Sequence, residues 1–206
     1  MLDAKVTPYI KPMLRPLVSW LDKQNVTPNQ ITVAGFCLGL LAMPFIILGV
    51  WSGAFACICL NRVCDGIDGE LARYQSSSSS AGGFLDICLD FLFYASVPLA
   101  FGTANPQEWG VPALVLIASF IGTGSSFLAF AIAAEKFNID RPQFSNKSFY
   151  YRQGLTEGTE TIAVFLAFCL WPSYFAPLAY LFAGACAITV VTRIVFGFTT
   201  LKALEK

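Results

Sequence analysis

Residues 65–90 read DGIDGELARYQSSSSSAGGFLDICLD, and four aspartates in this stretch constrain the chain more than any other feature. Asp65 and Asp68 are three residues apart, and Asp86 and Asp90 are four apart. Those spacings put two side chains on one face of a helix, so each pair aims two carboxylates in one direction. Both pairs lie in apolar helical sequence, CICLNRVC before the first and FLFYASVPLAF after the second. The short join between the two predicted helices suggests an antiparallel pair that brings all four carboxylates together.

Carboxylates at membrane depth are costly unless something neutralises them. Arg62 and Arg73 are the local bases, and Glu70 is a fifth acid, so five acids against two bases leave −3. Two divalent cations would turn that into +1, and an anionic pyrophosphate substrate would bring it back towards neutrality. Carboxylate oxygens suit hard ions such as Mg²⁺ or Mn²⁺. Gly69, Ala72 and Gly82 leave room for a bulky anion to approach the backbone. The competing structural account, a buried ion-pair network, lacks enough arginine for five acids.

The full pattern is Asp65-x-x-Asp68-Gly69-x-x-Ala72-Arg73, then Gly82-x-x-x-Asp86-x-x-x-Asp90. It resembles the signature of the CDP-alcohol phosphatidyltransferase family with every position filled, and the apolar pattern of the remaining chain is similar to that family's six-helix membrane fold. The resemblance implies transfer of a phosphatidyl group from a CDP-linked lipid, CDP-diacylglycerol in most bacterial members, to an alcohol with release of CMP. Position by position, it implies that Asp65, Asp68 and Asp86 are metal ligands. Asp90 would be the base and also touch a metal, while Gly69, Ala72, Arg73 and Gly82 shape the nucleotide site. It further implies two Mg²⁺ or Mn²⁺ ions and a homodimer. The string KSFYYRQGLTEGTET at 147–161 is similar to a bacterial inner-membrane branch of the family and leaves the acceptor alcohol open.

Composition agrees with the membrane reading: 56% of the 206 residues are hydrophobic and 13% charged. The expected fold class is an all-α integral membrane protein, a single domain over 1–206. It has six transmembrane helices, about 31–50, 54–73, 83–102, 110–133, 157–171 and 176–200, with Pro172 ending the fifth. An N-terminal amphipathic helix at 2–24 lies on the membrane surface: Leu2, Val6, Tyr9, Ile10, Met13, Leu17 and Leu21 recur at helical spacing among Lys5, Lys11, Arg15 and Lys23. Pro12 is a point where that helix bends or splits. The segment lacks the unbroken apolar core of a signal peptide.

Lys and Arg cluster in the N-terminal segment, in 134–156 and at Lys202 and Lys206, and are absent from 51–53, 103–109 and 172–175. That alternation places both termini and the aspartates on the cytoplasmic side of a bacterial inner membrane. Trp51, Trp109 and Trp171 fall at span ends, as interfacial anchors do. With no histidine, His-based zinc sites and Ser-His or Cys-His catalysis are excluded. A net charge of zero gives no footprint for nucleic acid. The seven cysteines lie in apolar runs without a CxxC pair and read as buried thiols.

Smaller features carry two readings each. Thr27-Pro28-Asn29-Gln30 is a helix start with a capping box, and it is also similar to the TPN segment near the family's nucleotide. Ser76 to Ser80 read as a linker rather than a phosphate site. Gly122, Gly124, Ser125 and Ser126 form a small face for close packing, or line an acceptor pocket. Lys147, Tyr150, Tyr151 and Arg152 read as an interfacial loop. Glu157 and Glu160 favour a helix start or bind hydroxyls of an alcohol. Arg193 snorkels or recognises an anionic acceptor. At the level of class, a divalent-cation path through the aspartates and a non-catalytic scaffold stand beside the transferase; the first does not require Gly69, Ala72, Arg73 and Gly82 at their spacing, and the intact set of four aspartates argues against the second.

Overall fold

The computed structural model describes residues 14–137 and 156–204. Those residues fold as helices: α1 (14–23), α2 (Pro28–Leu40), α3 (Ala42–Ile47), α4 (Trp51–Tyr74), α5 (Ser80–Ala104), α6 (Pro106–Lys136), α7 (Gly158–Leu170) and α8 (Phe175–Leu204). Each predicted span thus falls on one helix, with α2 and α3 sharing the first. The break at Leu41 has a local cause. Pro44 has no N–H to offer the carbonyl four residues back, and its ring crowds that turn. At the other end of the bundle Pro172 opens a 3₁₀ turn, Pro172–Tyr174, which separates α7 from α8 as expected.

Among the described residues, four segments are long and apolar enough to cross a membrane: Pro28–Ile47, Ser80–Ala104, Pro106–Lys136 and Pro172–Leu204. The other two predicted spans depart from that standard for different reasons. α4 has the length, 24 residues, but carries the motif's charges. α7 is apolar but has only 13 residues. On the long helices, apolar side chains point outward: Ile132 is 72% exposed and Leu181 73%. An apolar exterior of this kind suits lipid rather than water. Of the seven thiols expected to be buried, Cys57, Cys169 and Cys186 are; Cys59, Cys64 and Cys88 are half-buried, and Cys37 is exposed on α2.

Of the predicted N-terminal helix, residues 2–13 lie outside the described part. The described part buries Val18 and Leu21 against Ile67 and Leu71 of α4, while Leu17 and Trp20 stay exposed. The Gln75 side-chain amide donates to Asp22 Oδ1 and to the Val26 carbonyl, both at 3.0 Å, which ties α1 to the end of α4. The loop containing Lys147, Tyr150, Tyr151 and Arg152 also lies outside the described residues.

The expected α4–α5 hairpin does not form as a packed pair. α4 and α5 share a loop but barely touch, and α2 packs against both. Two glycines four residues apart make this arrangement fit. A Cβ on Gly35 would lie 2.6 Å from Cys64 Cβ of α4. One on Gly39 would lie 2.9 Å from the Phe93 ring of α5 and 3.0 Å from the Asn61 amide of α4. This small-xxx-small spacing is the usual device for close helix contact in membranes. Asn61, buried at that contact, donates to the Gly35 carbonyl at 3.1 Å.

Of the small face of α6, Gly122 and Gly124 pack within the fold, while Ser125 is exposed. Gly124 accommodates Phe91 of α5, where a Cβ would come within 2.7 Å, and Gly122 faces Val190 of α8 at 3.1 Å. At the far end of the bundle Trp51, Phe101, Trp109 and Phe175 interlock, with Phe101 and Phe175 stacked at 4.5 Å. Trp51 and Trp109 therefore pack inward, whereas Trp171 remains exposed as an anchor would.

Candidate active site

The carboxylates gather on the side of α2 where α4 and α5 diverge. One oxygen from each of Asp65, Asp68 and Asp86 lies within 4.8 Å of the other two. Arg62 donates to Asp65, and Arg73 holds Glu70 through Nε at 3.0 Å and a terminal nitrogen at 2.8 Å. These two pairs dispose of two acids and both bases, so the predicted surplus of −3 resides on Asp68, Asp86 and Asp90. Thr32 of α2 donates to Asp68 Oδ2 at 2.6 Å. Among the described residues no side chain donates a hydrogen bond to Asp86. A crowd of hard oxygen donors with a negative surplus fits a divalent cation bound by carboxylates.

Asp90 lies outside this three-oxygen group but lines the same crevice. It sits one turn further along α5, and its Oδ2 accepts from the Tyr94 hydroxyl at 3.3 Å. Asp65, Asp68, Asp86 and Asp90 together border a small crevice with Thr32, Gly35 and Asn61.

A larger cavity opens on each side of the crevice. One, of about 230 Å³, is shared with Asp68 and Asp86 and is lined by Gly69, Ala72, Arg73 and Gly82, with Asn29 and Ser77 to Ser79. All four predicted nucleotide-site residues therefore meet here. Asn29 joins them because Gly82 has no side chain: a Cβ there would come 3.1 Å from Asn29 Oδ1. The Thr27–Gln30 capping box forms as predicted, with Gln30 accepting from the Thr27 N–H at 2.9 Å. The serine run is more than a linker: Ser79 caps α5 by accepting from the Gly82 N–H at 3.1 Å, and its neighbours face the cavity.

The second cavity, of about 370 Å³, is shared with Asp90 and bounded by Arg62, Tyr94, Thr123, Glu157 and Arg193. Arg193 turns inward between α6 and α8 rather than snorkelling. It donates to the Thr123 carbonyl at 3.2 Å and lies over the Phe127 ring at 5.7 Å. Glu157 faces this cavity and also caps α7. Glu160 does not line it, because its carboxylate turns back to accept from the Glu157 N–H at 3.3 Å. Of the three residues predicted for an acceptor site, two are brought together and Glu160 is not.

Thr32, Asn61 and Tyr94 escaped the sequence reading. The Gly35-x-x-x-Gly39 spacing is a signal of close helix contact by α2, but it does not say with which helices. Nothing in the sequence pointed to Thr32 or Tyr94.

The fold is a helical bundle with an apolar exterior and an acidic cluster between two cavities. The profile of the CDP-alcohol phosphatidyltransferase family matches residues 25–198, and the chain belongs to that family. It is 50% identical over 206 residues to the inner membrane protein YnjF of Escherichia coli (strain K12), covering 100% of both chains. Over 139 residues it is 32% identical to the archaetidylinositol phosphate synthase of Pyrococcus horikoshii, covering 63% of this chain and 74% of that one. The crystal structure of phosphatidylinositol phosphate synthase from Mycobacterium tuberculosis with CDP-DAG bound has the same fold. The TM-score is 0.66 at 17% identity, over 89% of this chain and 92% of that chain. The protein is a CDP-alcohol phosphatidyltransferase, and it transfers a phosphatidyl group from a CDP-linked lipid to an alcohol. The cation-path and scaffold readings fall with that membership.

Proposed function

We propose that the donor is CDP-diacylglycerol, that its nucleotide occupies the cavity around Gly69 and Gly82, and that the acceptor alcohol enters the cavity around Arg193. The observation that carries this reading is the position of the carboxylates: Asp68 and Asp86 border the first cavity and Asp90 the second. A pyrophosphate held at the cluster would present its phosphorus between the two substrates. The CDP-DAG complex of the Mycobacterium tuberculosis synthase supports the choice of donor.

Asp65, Asp68 and Asp86 would hold Mg²⁺ or Mn²⁺, two ions by family resemblance. Bound there, such ions supply charge neutralisation for the pyrophosphate and for the departing CMP. The chain's own residues do the rest. Thr32 fixes the Asp68 carboxylate. Gly69, Ala72 and Gly82 admit the nucleotide, and Arg73 with Asn29 borders it. Asp90 takes the proton from the alcohol as its oxygen attacks phosphorus and the bond to the CMP oxygen breaks. Arg193 and Glu157 hold polar groups of the acceptor.

The chain acts as one domain over 1–206 with six spans, α4 and α7 included, and functions as a homodimer in the bacterial inner membrane. The 50% identity to an inner membrane protein along the entire chain supports that location. The test is CMP release from CDP-diacylglycerol with a panel of glycerol, inositol and their phosphates. Activity is expected with at least one alcohol, to disappear with chelator and to return with Mg²⁺ or Mn²⁺. Full turnover in chelator would rule out the role given to the aspartates.

A further inference from the structure

Tyr94 occupies no motif position, yet three helices converge on its side chain. It lies four residues after Asp90 on α5, on the same helix face, and its O–H donates to Asp90 Oδ2 at 3.3 Å. Its ring is held among Phe91, Phe93, Phe120 and Phe165, with centroids 6.1–6.4 Å away. Those neighbours come from α5, α6 and α7, so the ring has little freedom to swing. The hydroxyl also meets the first turn of α7, where a Cβ on Gly158 would come within 3.2 Å of it. Gly158 therefore keeps clear the space in which the hydroxyl reaches Asp90. Both residues border the acceptor cavity.

A tyrosine hydroxyl has one proton to donate, and here it goes to the carboxylate. A carboxylate on its own side chain can rotate and offer either oxygen in several directions. One oxygen held by a fixed donor leaves the other with a defined direction, and preorganisation of this kind is what a general base requires. We propose that Tyr94 is a positioning residue for Asp90: it holds Oδ2 so that Oδ1 faces the hydroxyl of the entering alcohol. This rests on the assignment of Asp90 as the base. In the transfer step the alcohol's proton passes to Oδ1, the alcohol oxygen bonds to phosphorus, and the phosphorus–oxygen bond to CMP breaks with its electron pair. Tyr94 keeps its own proton throughout.

The bland account is a core tyrosine that merely satisfies its hydroxyl, and kinetics separate the two. Four proteins, native, Tyr94→Phe, Gly158→Ala and the double variant, are assayed for CMP release from CDP-diacylglycerol with the panel alcohol that reacts fastest. Tyr94→Phe keeps the ring and should lower kcat about ten- to a hundredfold, the effect of one hydrogen bond to a charged group. Donor KM and the thermal midpoint should remain native. Gly158→Ala should lower kcat severalfold in the native background by displacing the hydroxyl. It should do nothing further beside Tyr94→Phe, because phenylalanine has no hydroxyl to displace, and such non-additivity is the mark of a shared contact.

Native kcat in Tyr94→Phe overturns the proposal, as does an equal effect of Gly158→Ala in both backgrounds. A joint fall in kcat, donor affinity and thermal midpoint also overturns it in favour of a purely structural role. If Tyr94→Phe fails to fold, Gly158→Ala alone still decides, since an unchanged kcat refutes the arrangement. Turnover retained in Asp90→Asn defeats the base assignment and this proposal together. An inactive Asp90→Asn beside a native Tyr94→Phe defeats this proposal alone.

Discussion

Asp86 and Asp90 are on adjacent turns of α5, about 6 Å apart along its axis, and their surroundings differ in kind. Asp86 belongs to the acidic cluster, whereas Asp90 turns to Tyr94 and the acceptor cavity. Asparagine keeps the shape of aspartate but removes its basicity. Asp90→Asn should therefore retain metal and CDP-lipid affinity while losing roughly 10²–10⁴ in rate, the usual share of general-base catalysis. Asp86→Asn should lose affinity and rate together. Calorimetric titration with Mn²⁺ beside steady-state kinetics reads the difference, and equal loss of metal binding in both variants would make Asp90 primarily a ligand. Arg193→Ala should raise the acceptor KM more than the donor KM; parallel rises would leave Arg193 as a brace between α6 and α8. The aspartates were legible because their spacing and charge are one-dimensional facts. Glu160 carried two readings, helix start or alcohol contact; its carboxylate turns back to the Glu157 N–H, and spacing alone does not distinguish the two.

Helices were legible for a related reason. Apolar runs of spanning length form their own backbone hydrogen bonds in lipid whatever their neighbours, so each predicted span is helical, with ends shifted by a few residues and the first broken at Leu41. Neighbour relations were not legible. The short loop after Tyr74 suggested that α4 and α5 pack together, but packing depends on which faces can approach. Gly35 and Gly39 give that advantage to α2. The result places Thr32 beside Asp68 and leaves a gap between the motif helices for substrate. Gly39→Leu should force α2 away from Phe93 and Asn61 and cost about 1–3 kcal/mol, as overpacking does. The expected readings are a lower thermal midpoint in detergent and weaker Mn²⁺ binding. An unchanged midpoint would mean that α2 does not hold the two helices in register.

On the scale of the whole molecule, the distribution of Lys and Arg gives a testable orientation. A reporter fused after Lys206 should be cytoplasmic, and one inserted at Pro106 periplasmic; both on one side would end the six-span arrangement. The two ends of the bundle also differ in construction. Trp51, Phe101, Trp109 and Phe175 lock one end with stacked and edge-on rings, while at the other α4 and α5 diverge around the aspartates. With the rings fixing only the far end, the spacing of the two halves of the motif is set where α2 seats against both helices.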